Sequence, residues 1–247
     1  MSGHSKWSTI KRKKGAADAR RGKLFTKLIK EISIAAREGG GDPDGNPRLR
    51  LAVANAKGNN MPKDNIGRAI KKATGSDAEQ YHETTYEGYA THGVAVFVEC
   101  LTDNSNRTVS SVRSAFTKHG GSLGTNGSLE FIFDRKGVFS IKMTEDMDED
   151  EFSLEMIDAG AEDETLHDGY LTISCDISDF GGIQKKLEEL GVNAENAELQ
   201  RIPNTLVTLG DDDFGKITKL IDALEDNDDV QKVFHNLDIT EAQMELL

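Results

Sequence analysis

The sequence predicts an α+β protein, in which a small basic helical domain precedes two α+β domains. In each of these, helices cover one face of a small antiparallel sheet, as in ferredoxin-like folds. Three observations support this prediction. Apolar residues recur at helical spacing through about the first 75 residues, strand-like and helix-like segments alternate from Tyr86 onward, and the charge changes sign between the two parts. With 247 residues, the chain is long enough for two or three domains.

The first predicted helix extends from Ala16 to Glu38 and ends at a run of three glycines. Its apolar stripe has helical spacing and consists of Leu24, Phe25, Leu28, Ile29, Ile32 and Ala35. The cations that lie away from this stripe are Lys23, Lys27, Lys30 and Arg37. The helix therefore buries one face and exposes a cationic one.

Two further helices are predicted before Gly75. The second begins at Asn46, has Pro47 at its first helical position and stops at Gly58, while the third follows Met61. Each has an apolar stripe, and the basic residues outside these stripes are Arg48, Arg50, Lys57, Lys63, Arg68, Lys71 and Lys72. The spacing shows no convincing helix-turn-helix motif and no obvious dimer stripe.

The later part of the chain alternates strands with helices. A strand over residues 94–101 precedes a helix that carries Val109, Val112 and Phe116. Residues 129–133 and 137–142 are predicted to form a hairpin joined by residues 134–136. A strand at 170–176, a helix at 180–191 and another strand–helix pair from 206 complete the α+β pattern.

The charge of the chain is divided between its two parts. Residues 1–75 contain 18 of the 30 Lys and Arg but six of the 43 Asp and Glu, so their net charge is +12, and the remainder carries −25. A basic module of this kind is expected to bind a polyanion. A duplex lying along the acidic part would be repelled, so that part could instead contact basic ribosomal or transcription proteins, or simply keep the protein from coating all nucleic acid.

The first 15 residues are predicted to be an arm that contacts nucleic acid, because they combine a polybasic run with the only tryptophan of the chain. Trp7 either stacks on an unpaired base or packs onto the helical domain, and both interpretations remain open. The predicted phosphate contacts, with Trp7 as the stacking residue, are Lys6, Lys11, Arg12, Lys13, Lys14, Arg20, Arg21, Lys23 and Lys27.

No enzyme motif is recognisable. The six histidines show no zinc-ligand spacing, and neither a nucleophile elbow nor a Walker loop is present. The acidic clusters at residues 149–151 and 211–213 lie where helices should start, and negative charge is favoured there. We therefore predict no catalytic set, no metal and no cofactor. A nuclease would need a carboxylate-bound metal beside the basic face, and the acids of the basic module show no such spacing.

Cys100 and Cys175 lie in apolar strand-like segments and are predicted to be buried thiols in a reducing compartment. The longest apolar runs are strand-sized, and the N-terminus does not look like a secretory signal.

Several segments together resemble the YebC/PmpR family over essentially the whole chain. They are GHSKWSTIKRKKGAADARRGKLFTKLIKEI, NMPKDNIGRAIKK, YEGY, GVAVFVECLTDNSNRT, GGSLGTNGS and FDRKG. The chain departs from the family at residues 90–93, Ala-Thr-His-Gly, where a turn similar to Gly-Pro-Gly-Gly is usual.

The resemblance implies a three-domain cytoplasmic protein in which one α+β domain is inserted into the other. On this chain the helical domain would span residues 1–80, the second domain 81–135 plus 206–247, and the inserted acidic domain 136–205. It also implies a non-enzymatic nucleic-acid-binding regulator of gene expression. Some members are described as DNA-binding transcriptional regulators, and related mitochondrial translational activators associate with ribosomes, so DNA and ribosomal RNA or tRNA are the alternative partners.

Overall fold

Residues 18–75, the described part of the N-terminal region, form a three-helix unit. The computed structural model describes residues 18–75, 79–144 and 147–245, and of residues 18–20 and 245 it describes the backbone only. The three helices are α1 (Asp18–Gly39), α2 (Pro47–Gly58) and α3 (Lys63–Ala73). The predicted start of α2 is confirmed, because the Asn46 side chain accepts a hydrogen bond from Leu49 N at 3.0 Å.

The core of this unit is formed by the predicted apolar stripes. Its buried residues are Ile32, Ala35, Ala36, Leu49, Ala52, Val53, Ala56, Met61, Ile66, Ala69 and Ala73. Leu24 was predicted to belong to the stripe, but it is 40 % exposed. It precedes the buried positions of α1, which begin at Lys30 and Ile32.

A first antiparallel sheet follows the helical unit. It contains β1 (His82–Tyr89), β2 (Ala95–Thr102), β3 (Ser122–Leu123) and β9 (Val230–His235), in the order β3-β1-β2-β9. Helices α4 (Ser105–Lys118) and α7 (Asp211–Glu225) cover one face. There, Val98 and Cys100 pack with Phe116, Phe214 and Leu220.

A second sheet lies in sequence between β3 and β9 of the first. Its elements are β4 (Phe133–Lys142), α5 (Glu149–Asp158), β5 (Ala161–His167), β6 (Tyr170–Cys175), α6 (Phe180–Glu189) and β7 (Asn196–Pro203). The strands are antiparallel in the order β5-β6-β4-β7, and both helices contribute to one core with the sheet. This β-α-β-β-α-β arrangement confirms the α+β prediction and is that of a ferredoxin-like unit.

The remaining elements lie at the C-terminal end of the chain. Strand β8 (Val207–Thr208) pairs in parallel with β10 (Leu237–Asp238), and α8 (Glu241–Glu245) follows. Strand β9, which lies between β8 and β10 in the chain, pairs with β2. The chain therefore returns to the first sheet after completing the second.

The predicted hairpin around residues 134–136 is wrong. These residues lie within the continuous strand β4, where Asp134, Arg135 and Lys136 pair with Ile202, Arg201 and Gln200 of β7. The preceding apolar residues form turns instead of a strand, because the buried Glu87 carboxylate accepts hydrogen bonds from Gly127 N and Leu129 N. Leu129 is thereby held in a core cluster on the other face of the first sheet.

Candidate nucleic-acid interface

Eight of the described cations of the helical domain form two groups. We call Lys23, Lys27 and Lys30 of α1 the inner row, because all three contact the first sheet domain. We define the outer face by exposed cations of α2 and α3, which are Arg50, Lys57, Lys63, Arg68 and Lys71. The two groups differ in whether their charge is neutralised within the protein.

The inner row faces residues 225–229, which are the last residue of α7 and the loop that follows it, and which we call the loop at residues 225–229. Lys23 Nζ forms an ion pair with Asp226 Oδ1 at 2.9 Å, and Lys27 Nζ donates to the carbonyl of Glu225 at 2.9 Å. Lys30 Nζ donates to the carbonyl of Asp228 at 2.6 Å. Because the three lysines are spaced by four and three residues, they lie on one side of α1. This side of α1 docks onto an acidic loop instead of facing solvent.

The inner row ends in a buried ionic cluster. Lys30 Nζ lies 3.3 Å from Asp229 Oδ1, and the two residues are 7 % and 4 % exposed. Asp229 also accepts from Arg107 Nη2 at 2.8 Å and from Thr108 Oγ1 at 2.9 Å. Burial by itself would raise the pKa of the Asp229 carboxyl, but the hydrogen bonds from Arg107 and Thr108 and the charge of Lys30 hold it below its usual value.

These two parts of the docking contact differ in strength. Removing one member of a buried ion pair leaves the other charge buried without a partner and typically costs about 3–5 kcal/mol. The Lys23 and Asp226 side chains are 42 % and 74 % exposed. An exposed pair of this kind contributes about 0–1 kcal/mol and is screened by salt. The contact is therefore firm at Lys30 and weak at Lys23.

The outer face has no comparable neutralisation. Within residues 18–75, 79–144 and 147–245, none of its five cations forms an ion pair with a carboxylate. Arg50 donates to the carbonyl of Asp44 at 3.4 Å, and Arg68 contacts the Asn65 side chain and the Asp64 carbonyl. The outer face therefore presents cations to solvent.

The positions of these cations follow from helix geometry. Ile66, Ala69 and Ala73 bury one side of α3, which directs Arg68 and Lys71 away from the core. The connection between α2 and α3 is short, residues 59–62, and contains Asn60 with φ of 58°. The short connection agrees with the predicted helix bounds, in which the second helix stops at Gly58 and the third follows Met61.

Other cations are used where the three units meet. Lys232 Nζ lies 2.7 Å from Glu198 Oε2, and Arg201 Nε lies 3.1 Å from Glu99 Oε1. Burial raises the pKa of Glu31 on α1, opposed by the charges of Lys232 and Arg48. These side chains connect α1, β2, β7 and β9, so they serve the assembly of the protein and do not extend the outer face.

The predicted phosphate contacts are distributed as follows. Lys6, Trp7, Lys11, Arg12, Lys13 and Lys14 lie outside the described residues, as does the side chain of Arg20. Arg21 is exposed, with its guanidinium 5.6 Å from the Phe25 ring centroid. Lys23 and Lys27 belong to the inner row.

The outer-face residues were not among the predicted contacts. The sequence placed them outside the apolar stripes, and this periodicity was the signal that could have identified them. Three other predicted surface cations are partly neutralised: Arg48 contacts Glu38 and Glu83, Lys72 lies 2.6 Å from Glu79, and Arg37 donates to the Glu79 carbonyl.

The acidic clusters serve as helix starts, as predicted. Asp148 caps α5 by accepting from Glu151 N at 3.0 Å, and Asp211, Asp212 and Asp213 form the first turn of α7. Among the residues that the structure describes, no group of three His, Cys, Asp or Glu could hold a metal ion.

Both cysteines are buried free thiols, as predicted, and burial raises the pKa of Cys100 to about 12 and that of Cys175 to about 11. None of the helices in the described ranges is long and apolar enough to cross a membrane.

Two family models together match nearly the whole chain. Residues 5–76 match the TACO1/YebC protein N-terminal domain, and residues 81–237 match the TACO1/YebC second and third domain. The boundary between the two matches lies between α3 and β1.

Close relatives share this length. A protein of Amoebophilus asiaticus is 54 % identical over 239 residues, covering 96 % of this chain and 98 % of the relative. A protein of Geobacter sulfurreducens is 52 % identical over 248 residues and covers both chains completely. Each is named a probable transcriptional regulatory protein. The crystal structure of the conserved hypothetical protein Aq1575 from Aquifex aeolicus is similar, with a TM-score of 0.81, 45 % identity, and coverage of 91 % of this chain and 93 % of that one.

Proposed function

Because the chain belongs to the TACO1/YebC family, we propose that it is a non-enzymatic transcriptional regulator whose helical domain binds DNA. In this proposal the helical domain spans residues 1–80, a first α+β domain spans 81–135 and 206–247, and residues 136–205 form the inserted acidic domain. The names of the relatives support a regulatory role, and the electrostatics of the helical domain support the contact with nucleic acid.

The outer face is the observation that carries the proposal. It groups Arg50 and Lys57 on α2 with Lys63, Arg68 and Lys71 on α3, and within the described ranges these cations have no carboxylate partner. Ordinary protein surfaces mix charges of both signs. A surface of exposed cations on a chain of net charge −13 is suited to neutralise phosphates and to release their counterions.

The basic arm extends this interface in the proposal. The predicted contacts Lys6, Lys11, Arg12, Lys13, Lys14, Arg20 and Arg21 precede or begin α1, and Trp7 would stack on an unpaired base. If roughly five to eight basic side chains contact phosphates, the slope of log affinity against log salt is about −4 to −7.

The ribosome is the second candidate partner. The helical domain is held against both acidic domains, through Lys30 and Asp229 on one side and through α2 on the other. A duplex that lay along these acidic domains as well as the helical domain would be repelled by them. An irregular or single-stranded RNA surface could follow the cationic face and avoid them.

Binding to a short fluorescein-labelled DNA duplex of mixed sequence, followed by anisotropy at several salt concentrations, tests the proposed interface. The outer-face variant replaces four cations by alanine: Arg50, Lys57, Arg68 and Lys71. Losing up to four phosphate contacts should make the salt slope shallower by roughly 3 to 4 and weaken binding at least about tenfold at low salt.

The matched control removes two arginines and two lysines from the acidic domains. All four are exposed, and they are Arg113, Arg135, Lys142 and Lys219. This variant has the same change of net charge, so we expect it to retain most of its affinity. Equal weakening in both variants would show that overall charge, and not the outer face, determines binding.

Co-sedimentation with ribosomes from a cell lysate distinguishes the two partners. It is measured for the wild type and for the arm variant, in which Lys11, Arg12, Lys13 and Lys14 are replaced by alanine. Salt-sensitive co-sedimentation that the arm variant loses would support a translational activator that contacts ribosomal RNA. Absence from ribosomes combined with specific retention of a promoter fragment would support the transcriptional regulator.

A further inference from the structure

The loop at residues 225–229 presents a row of oxygen atoms to the inner row of lysines. From this geometry we infer that the loop is an intramolecular competitor for nucleic acid, which displaces Asp226 from Lys23 and the Glu225 carbonyl from Lys27 when these lysines contact phosphates. This inference rests on the proposed function and describes how the binding surface is regulated.

The loop offers the lysines the same chemistry as a phosphate backbone. Asp226 contributes a carboxylate oxygen to Lys23, while Glu225 and Asp228 contribute carbonyl oxygens to Lys27 and Lys30. An ammonium group donates to carboxylate, carbonyl or phosphate oxygens alike. The loop and a polyanion therefore compete for the same ammonium groups.

The unequal strength of the contact determines how displacement proceeds. Lys30 and Asp229 are both buried, and Asp229 is held further by Arg107 and Thr108, so this end stays closed. The Lys23–Asp226 pair is solvent-exposed at the other end, where water and salt compete for it. A polyanion would open the contact from Lys23 inward and stop at Lys30.

The position of Lys23 favours this route. It lies near the N-terminal end of α1, and the segment that precedes α1 carries the polybasic run at residues 11–14. A polyanion that approaches α1 from its N-terminal end reaches the exposed Lys23–Asp226 pair before the buried Lys30. Opening would then add cations to the interface only when such a ligand is present.

Affinity for the fluorescein-labelled duplex tests the competition. Asp226→Asn removes the carboxylate that holds Lys23, and we expect two- to fivefold tighter binding and a salt slope steeper by about one contact. Asp228→Asn is the matched control, because Asp228 is exposed and contacts Lys30 through its backbone carbonyl. It removes the same charge from the same loop and should change affinity by less than Asp226→Asn.

A zero-length carbodiimide cross-link measures the contact directly. The reagent joins a lysine amine to a touching carboxylate as an amide, with loss of water, so the Lys23–Asp226 product reports the closed loop. We expect added duplex to lower its yield, while the Lys216–Asp213 pair on α7, at 2.7 Å, keeps its yield.

The outcomes separate this inference from the proposed function. A bound duplex with an unchanged Lys23–Asp226 yield, or equal affinities of the Asp226→Asn and Asp228→Asn variants, would overturn the inference alone. Failure of the wild type and of Asp226→Asn to bind either the duplex or ribosomes would overturn both.

Discussion

The side-chain amide of Asn55 forms two hydrogen bonds with the backbone of Ala197. Its Nδ2 donates to the Ala197 carbonyl at 2.9 Å, and its Oδ1 accepts from the Ala197 amide at 3.1 Å. Asn55 lies on α2, and Ala197 lies on β7, which is an edge strand of the second sheet. One side chain thus satisfies both polar groups of an edge residue and attaches the helical domain to the inserted domain.

Replacing Asn55 by alanine should weaken this attachment. Ala197 is 7 % exposed, so its amide and carbonyl would lose their partners in a place with little access to water. We expect a loss of about 1–3 kcal/mol in the free energy of unfolding, measured by urea denaturation. Asn193→Ala, at an exposed position of the inserted domain, is the control and should change stability by less than about 0.5 kcal/mol.

Gly58 and Gly67 form a second matched pair. A Cβ atom on Gly58 would lie 2.3 Å from the carbonyl oxygen of Glu195, whereas one on Gly67 would meet nothing within 4 Å. Gly58→Ala should therefore push α2 away from the inserted domain and cost roughly 1–3 kcal/mol. Gly67→Ala lies inside α3 and should stabilise the protein by about 0.5–1 kcal/mol, because alanine restricts the unfolded chain.

Thermal melting of the two variants is a direct measurement of this difference. Melting temperatures that move in opposite directions would support the close approach of α2 to Glu195. A Gly58→Ala variant as stable as Gly67→Ala would mean that the helical domain does not press on the inserted domain at this point.

The sequence predicted the elements whose signals are local. Asn46 and Pro47 mark the start of α2 through a cap and a fixed backbone angle, and both lie within the segment that they define. The fold class was predictable for the same reason, since periodicity distinguishes helices from strands. Strand β5 was missed because Glu162, Asp163 and Glu164 hide the alternation that marks a half-buried strand.

The candidate site was less predictable because its electrostatics depend on distant partners. Lys23 and Asp226 are 203 positions apart in the chain, so nothing near Lys23 indicated that its charge is paired.

The wrong hairpin prediction has a similar origin. Residues 129–132 have the composition of a strand, but Glu87, far away in sequence, fixes them as turns.

Glu87 provides a prediction about that loop. Its carboxylate accepts from Gly127 N at 2.8 Å and from Leu129 N at 2.7 Å. Glu87→Gln replaces one acceptor oxygen by an amide NH2 group that would face an N–H donor. The loop should therefore lose one of these two hydrogen bonds. We expect faster hydrogen exchange of the amides at residues 127 and 129, and a stability loss of about 1–3 kcal/mol.

Glu130→Gln is the control for this variant, because Glu130 is exposed and lies in the same loop. Its exchange rates should equal those of the wild type. If Glu87→Gln leaves the two amides as protected as before, the loop is fixed by the packing of Leu129 and not by the carboxylate.

The buried Asp229 predicts how stability depends on pH. Its folded-state pKa is lowered from 3.8, which means that its ionised form stabilises the folded protein. This contribution is complete above the unfolded pKa, and it is lost as the pH falls through the lowered folded pKa. Asp229→Asn removes the charge opposite Lys30 and Arg107, so it should cost about 3–5 kcal/mol near pH 7.

The decisive measurement is the difference in unfolding free energy between wild type and Asp229→Asn at several pH values. We expect a constant difference from pH 7 down to about 5, and a shrinking one below about 4, because protonation then neutralises the wild-type carboxyl as well. Asp212→Asn, an exposed change in the first turn of α7, should show no comparable trend. A difference between wild type and Asp229→Asn that stays constant through this range would mean that the variant acts through packing, and that the ionised Asp229 does not hold the inner row against the first sheet domain.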